Sequence, residues 1–248
     1  MEREIRIGAV SYLNTRPMLY GMERGLQHHP HRLQLDYPSN LVKDLNNGRI
    51  DIGLVPVAGL LGLKEYAIIS DYCIGTEGEV ASVCLFSRVP LHEINAVRLD
   101  YQSRTSVMLC KLILRDHFKL NCSFMPSTTD EELLSVSGTE AALLIGDRAL
   151  MARSLFPHVT DLGIAWVEMT GLPFVFAVWV TTQTLSDSFL VNFNKAVAVG
   201  VEHLDAVIRD IHFQAYDLNR YFKENISYRL DQNKRKAIDL FLTRASSL

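Results

Sequence analysis

Short apolar runs alternate with helical stretches from the start of the chain, and this alternation restricts the fold more than any other feature. Residues 5–10 form an apolar run of strand character, 18–26 a helical pattern and 33–37 a second strand. A short helix over 40–47 follows, begun by Ser39 and stopped by Gly48, and then a nearly continuous apolar run over 50–57, broken by Asp51. Strand, helix, strand, helix, strand in this order predicts right-handed βαβ units on a buried parallel sheet. Strands are expected at 66–69 and 80–86, with a loop of small and polar residues over 70–79. Val89-Pro90 then breaks the chain, and a second α/β series begins: strands at 96–99, 122–125 and 141–145, helices at 107–118 and 130–136. A long apolar strand at 174–181 precedes helices at 187–208, 215–225 and 231–245. The expectation is an α/β chain of two lobes, 1–87 with 177–248 as lobe one and 88–176 as lobe two. Two crossings, near Ser87 and Phe176, make a two-strand hinge able to close on a ligand.

Composition narrows the function. The 248 residues suffice for two lobes with real cores, and 48% hydrophobic with 21% charged residues is the balance of a soluble globular protein. A net charge of −3 gives no basic face, which argues against nucleic acid as a partner. No apolar run reaches membrane-spanning length, and the N-terminal residues run into the first strand without a signal-peptide core, so a cytoplasmic location is expected. Cys73, Cys84, Cys110 and Cys122 lack paired zinc-ligand spacing and read as free thiols, Cys84 and Cys110 as small core residues. His28, His29 and His31 read as a solvated loop. No P-loop, dinucleotide fingerprint, zinc-protease motif or nucleophile elbow occurs.

Three clusters fall at loop ends that face the expected cleft. The first is Val10-Ser11-Tyr12-Leu13-Asn14-Thr15-Arg16-Pro17, a strand-to-helix turn rich in donors and acceptors. Ligands bind at this edge of open α/β sheets, and helix-terminal N–H groups favour an anion. The competing role for Asn14 or Thr15 is that of a plain N-cap. The second is Ser103-Arg104-Thr105-Ser106 at the start of a long helix, suited to a carboxylate or phosphate, or again to a simple cap. The third is Gly146-Asp147 after one strand and Gly171-Leu172-Pro173 before another. Glycines there admit a ligand close to the backbone, or merely make tight turns. Ser82 stands near the first crossing. Glu77 and Glu79 are paired acids, read as a solvated loop rather than an acid/base pair.

The opening turn resembles the signature of the chorismate dehydratases of the futalosine route to menaquinone. So do Leu54-Val55-Pro56-Val57, Ser82-Val83-Cys84-Leu85-Phe86-Ser87, Leu99-Asp100 with Ser103-Arg104-Thr105-Ser106, Leu144-Ile145-Gly146-Asp147 and Thr170-Gly171-Leu172-Pro173-Phe174-Val175-Phe176-Ala177. The matches run in order over residues 5–181, and Met18 stands where Leu is more usual; the C-terminal helices carry no signature. The resemblance implies a periplasmic-binding-protein-like fold of type II. It also implies loss of water from chorismate to give 3-[(1-carboxyvinyl)oxy]benzoate, with no metal or cofactor. An amide cannot act as a general base, so Asn14 would orient a carboxylate or hold the leaving hydroxyl. The base is then a protein carboxylate or, as the resemblance favours, the substrate's own enolpyruvyl carboxylate. Ser11, Ser82, Ser103, Thr105, Ser106, Gly146, Asp147, Gly171 and Leu172 are the expected substrate-binding positions, and Asp147 either meets the substrate hydroxyl or braces its loop. The alternative from another class is a non-catalytic receptor or effector module of the same fold binding a small carboxylate. The sequence leaves the oligomeric state open.

Overall fold

The computed structural model describes residues 3–248. The chain opens with β1 (Ile5–Ala9), α1 (Arg16–Gly25), β2 (His31–Leu35), α2 (Pro38–Asn46) and β3 (Ile52–Pro56). β4 (Ala67–Thr76), β5 (Val83–Ser87), β6 (Ala96–Leu99), α3 (Arg104–Leu112), β7 (Ser123–Pro126) and α4 (Asp130–Leu134) follow. Next are β8 (Glu140–Ile145), α5 (Gly146–Ala152), β9 (His158–Asp161), α6 (Leu162–Thr170) and β10 (Phe174–Thr181). The chain ends with α7 (Asp187–Glu202), α8 (Leu204–Arg209), α9 (Leu218–Arg220), β11 (Ser227–Arg229) and α10 (Gln232–Ala245).

The strands form two sheets, ordered β11-β4-β10-β3-β1-β2 and β7-β6-β8-β5-β9. β1 runs parallel to β2 and β3, with Ile7 opposite Leu33 and Ile52, as expected of βαβ units. β10 returns antiparallel between β3 and β4, and every one of its residues is buried. In the second sheet β6 is parallel to β7 and β8, while β5 is antiparallel to β8 and β9.

Sheet membership moves both crossings. β5 is bonded wholly into the second sheet, so the chain leaves the first sheet between Thr76 and Val83 rather than near Ser87. It returns between Thr170 and Phe174, since all of β10 pairs in the first sheet; the expected point was Phe176. Residues 70–76 continue β4 instead of forming a loop: the exposed Asp71 donates its N–H to Asn194 Oδ1 at 2.9 Å, and Ser70 and residues 72–76 are all buried. α2 starts at Pro38, ahead of the expected Ser39 cap; the Ser39 side chain lies outside the described residues. The expected helix 187–208 breaks at His203, and 215–225 is a short helix passing into a π turn at Tyr221–Asn225.

Two features fix the opening helix. α1 crosses α7 with the backbones nearly touching: a Cβ on Gly200 would sit 1.6 Å from the Pro17 carbonyl oxygen. Met18 is fully buried, and its sulfur accepts the Trp179 indole N–H at 3.2 Å. The thioether therefore satisfies a buried donor that leucine would orphan. All four cysteines are free and buried. Among the described residues no helix is long and apolar enough to cross a membrane.

Candidate active site

The opening turn is a 3-10 turn, Leu13–Thr15, running directly into α1 with Pro17 in its first turn. Neither Asn14 nor Thr15 caps that helix through its side chain. The turn is held from outside. The Leu13 N–H donates to Asp147 Oδ1 at 3.1 Å, and the Tyr228 hydroxyl donates to the Asn14 carbonyl at 3.0 Å. The Asn14 amide is thereby left to face a cavity rather than its own helix. Burial pushes the Asp147 carboxyl up, against the Leu13 N–H and the charges of Arg16 and Arg148. Of its two expected roles, the geometry displays the brace.

Across from this turn stands the N-terminus of α3. Ser103 is its N-cap, with Oγ accepting from the Ser106 N–H at 3.2 Å and lying 3.0 Å from Ser106 Oγ. Thr105 turns the other way and accepts the Ala58 N–H at 3.0 Å, tying α3 to the first sheet's side of the molecule. The loop before α3 is fastened by buried Asp100, which accepts the Gln102 and Ile145 N–H groups at 2.8 and 3.2 Å. Arg148 meets both Asp100 oxygens, at 2.9 and 2.7 Å. Burial raises the Asp100 carboxyl in spite of this pair. Gln102 in turn accepts the Tyr12 hydroxyl at 2.8 Å.

The crossing segment forms the third wall. Asp161 accepts the Val80 and Ala81 N–H groups at 3.1 and 2.8 Å while capping α6 through Gly163 and Ile164. These bonds hold Ala81 at φ 61°, an uncommon conformation for a residue with a side chain. The bend presents Ser82, whose carbonyl accepts the Gly146 N–H at 2.7 Å and whose Oγ accepts the Tyr221 hydroxyl at 2.9 Å. Gly146 has φ 62°, and a Cβ there would come within 3.0 Å of the Tyr12 ring. Glu77 is exposed, as expected of a solvated loop, and Glu79 is half-buried, yet both carboxylates are paired. Glu79 pairs with Arg153 at 2.8 Å and Arg220 at 2.7 Å, and Glu77 pairs with the buried Lys234 at 2.9 Å.

These walls enclose a narrow cavity. Its polar lining is Tyr12, Asn14, Ser82, Ser103 and Ser106; its apolar lining includes Pro56, Ile74, Val80, Val83, Ile145 and Phe176. The space open to the centre of a water molecule is about 60 Å³, room for a handful of waters. No lining residue carries a carboxylate, imidazole, amine or guanidinium. Tyrosine is the only titratable type present, and burial pushes the Tyr12 phenol well above its usual range, so the lining is uncharged near neutral pH. Such a lining can orient an anion and exclude water but cannot itself supply a strong base.

Of the expected positions, Asn14, Ser82, Ser103, Ser106 and Gly146 converge on this cavity. Ser11 is exposed, Thr105 and Asp147 serve as struts, and Gly171 is the exposed left-handed C-cap of α6. Leu172 donates its N–H to Thr170 Oγ1 at 3.2 Å and does not line the cavity. Tyr12 and Phe176 also line the cavity; both stand inside the family-like motifs, but nothing in their local sequence marks them as site residues. Tyr221 and Tyr228 come from the C-terminal stretch, where nothing local marks them. In the histidine cluster His28 is exposed, the Asn192 amide lies 2.7 Å from His29 Nε2, and His31 Nδ1 lies 2.9 Å from the His29 carbonyl. Among the described residues no group of three or more His, Cys, Asp or Glu side chains is placed to hold a metal ion.

The menaquinone biosynthesis family matches residues 5–247. The chorismate dehydratase of Thermus thermophilus is 31% identical over 193 residues, covering 66% of this chain and 69% of that protein. A solved protein from Archaeoglobus fulgidus superposes with TM-score 0.76 at 14% identity, covering 98% of this chain and 97% of the other. A Candida albicans gene product, described as having the generic periplasmic binding protein fold, superposes with TM-score 0.69 at 12% identity, covering 100% and 91%. The two sheets are thus the two halves of a periplasmic-binding-protein-like fold, and the chain belongs to the menaquinone biosynthesis family.

Proposed function

We propose that the chain is a lyase that eliminates water from chorismate to give 3-[(1-carboxyvinyl)oxy]benzoate in menaquinone biosynthesis. The observation that carries this reading is a cavity lined by neutral donors and apolar walls with no protein base among them. In the reaction the ring carbon bearing the enolpyruvyl ether loses its proton and the neighbouring carbon loses its hydroxyl. The ring becomes aromatic, and proton and hydroxide leave as water. The substrate's enolpyruvyl carboxylate takes the proton. Asn14 orients that carboxylate or holds the departing hydroxyl. Ser103 and Ser106, with the N-terminus of α3, receive one carboxylate, and Ser82 donates from the opposite wall. Ile74, Val80 and Phe176 keep water from the reacting ring.

The same reading divides the molecule into two lobes that part at residues 77–82 and 171–173. The narrow cavity supports this, because parting of the walls would widen it for a ring with two carboxylates. The test is to incubate purified protein with chorismate in the absence of added metal. The expected result is an aromatic product lighter by one water. Chorismate bound at saturation but recovered intact would favour the receptor reading, to which the shared fold of binding proteins lends support.

A further inference from the structure

The C-terminal segment grips the candidate site at three points. Tyr228 holds the Asn14 carbonyl, Asn225 donates to the Glu79 carbonyl at 3.1 Å, and Tyr221 donates to Ser82 Oγ at 2.9 Å. Tyr221 is the most consequential of these. It is fully buried, it opens the π turn Tyr221–Asn225, and it does not itself line the cavity. A phenol donates one proton, and here that proton goes to Ser82 Oγ. The Ser82 hydroxyl must then send its own proton elsewhere. Its protein acceptor is the Val80 carbonyl at 3.4 Å, too long for a good O–H···O bond. The remaining direction is the cavity that Ser82 lines.

We propose that Tyr221 is a positioning residue: by donating to Ser82 Oγ it turns the Ser82 proton toward the bound substrate. This rests on the reading of the cavity as the site of chorismate dehydration. The role demands that the phenol stay protonated. Burial raises its pKa well beyond the usual range. Tyr221 thereby reaches the polar lining of the cavity from a segment to which no motif pointed.

The test is a double-mutant cycle on chorismate turnover in the full chain, using Tyr221→Phe, Ser82→Ala and the double variant. Phenylalanine keeps the buried ring and removes the donor. With Ser82 intact, Tyr221→Phe should lower kcat by about 10-fold or more while changing KM less, the pattern of lost orientation. In the Ser82→Ala background the same change should cost less than about 3-fold, because the group it aims is gone. The double variant leaves no orphaned buried oxygen, so its comparison with Ser82→Ala remains readable even if Tyr221→Phe alone folds poorly. Equal losses in both backgrounds would overturn the inference and assign Tyr221 a purely structural role. Absence of wild-type turnover would overturn the functional reading, and the inference with it.

Discussion

Gly146 joins the local backbone, the Tyr12 ring and the cavity at one atom, and Gly146→Ala tests that junction. Its φ of 62° lies in the left-handed region, where an L side chain costs about 1–2 kcal/mol. The new Cβ would also stand 3.0 Å from Tyr12 Cδ1 and 3.2 Å from Cε1. The ring cannot simply swing away, since its hydroxyl is bonded to Gln102 at 2.8 Å. It must shift by a few tenths of an ångström, at an overpacking cost of about 1–2 kcal/mol. The total is about 2–4 kcal/mol. Gly138→Ala is the matched comparison: φ is 58° and nothing lies within 4 Å of the added carbon, so only the backbone cost of about 1–2 kcal/mol applies. Thermal melts followed by circular dichroism should show both variants destabilised, Gly146→Ala by more. At roughly 2–4 °C per kcal/mol for a chain of this size, the gap is several degrees. Turnover should fall by about 10-fold in Gly146→Ala, which displaces the Tyr12 ring that lines the cavity, and stay unchanged in Gly138→Ala. Equal melting temperatures for the two variants would refute the claim that the Tyr12 ring is packed against Gly146 and resists displacement.

Three further outcomes follow from individual contacts. Asn14→Ala should cut turnover by about 10²-fold with little change in melting temperature, because the side chain makes no cap to lose; a large loss of stability with normal turnover would reverse that assignment. Met18→Leu should cost about 1–3 kcal/mol in denaturant unfolding, the penalty for orphaning the buried Trp179 N–H, and an unchanged midpoint would mean the sulfur acceptor is unimportant. Burial alone would raise the Asp51 carboxyl, but the Arg6 side chain and N–H and the Arg3 guanidinium outweigh it and hold the pKa at about 2. A depressed pKa stabilises the fold above the unfolded-state value and loses its effect as pH falls through the folded value. Asp51→Asn should therefore cost about 2 kcal/mol at neutral pH, with the gap to wild type closing between about pH 4 and pH 2. A gap independent of pH would show that the effect is not electrostatic.

The sequence exposes what is contiguous and hides what is assembled. Asn14 was legible because a strand, a polar turn and Pro17 follow one another directly. Ser103 and Ser106 were legible because hydroxyls open a long amphipathic helix. The apolar β10 could hardly be anything but a central strand. β9 and α6 were missed for opposite reasons. His158–Asp161 is four residues with a single aliphatic side chain, and α6 starts with an apolar stretch too even to show a helical face. β4 was cut short because Ser70 and Asp71 look like a loop until Asn194, on α7, supplies bonds to both. Thr105 and Asp147 stand beside cavity-lining residues, yet each side chain bonds the opposite sheet's part of the molecule. Tyr221 lies 139 positions from Ser82 in the chain, and only the packed C-terminal segment brings them to 2.9 Å.

The central claim is that this protein binds and orients while the substrate removes its own proton. The pH dependence of kcat for chorismate dehydration at saturating substrate tests it most directly. Carboxylates held by hydrogen-bond donors titrate at acid pH, and burial keeps the cavity's tyrosine protonated, so no group in the complex should change charge near neutrality. The account predicts a kcat constant within about threefold from about pH 5.5 to about pH 9. The rival base is Asp147, whose carboxyl burial raises. A limb inside that window, abolished along with turnover in Asp147→Asn, would place the base on the protein and contradict the account.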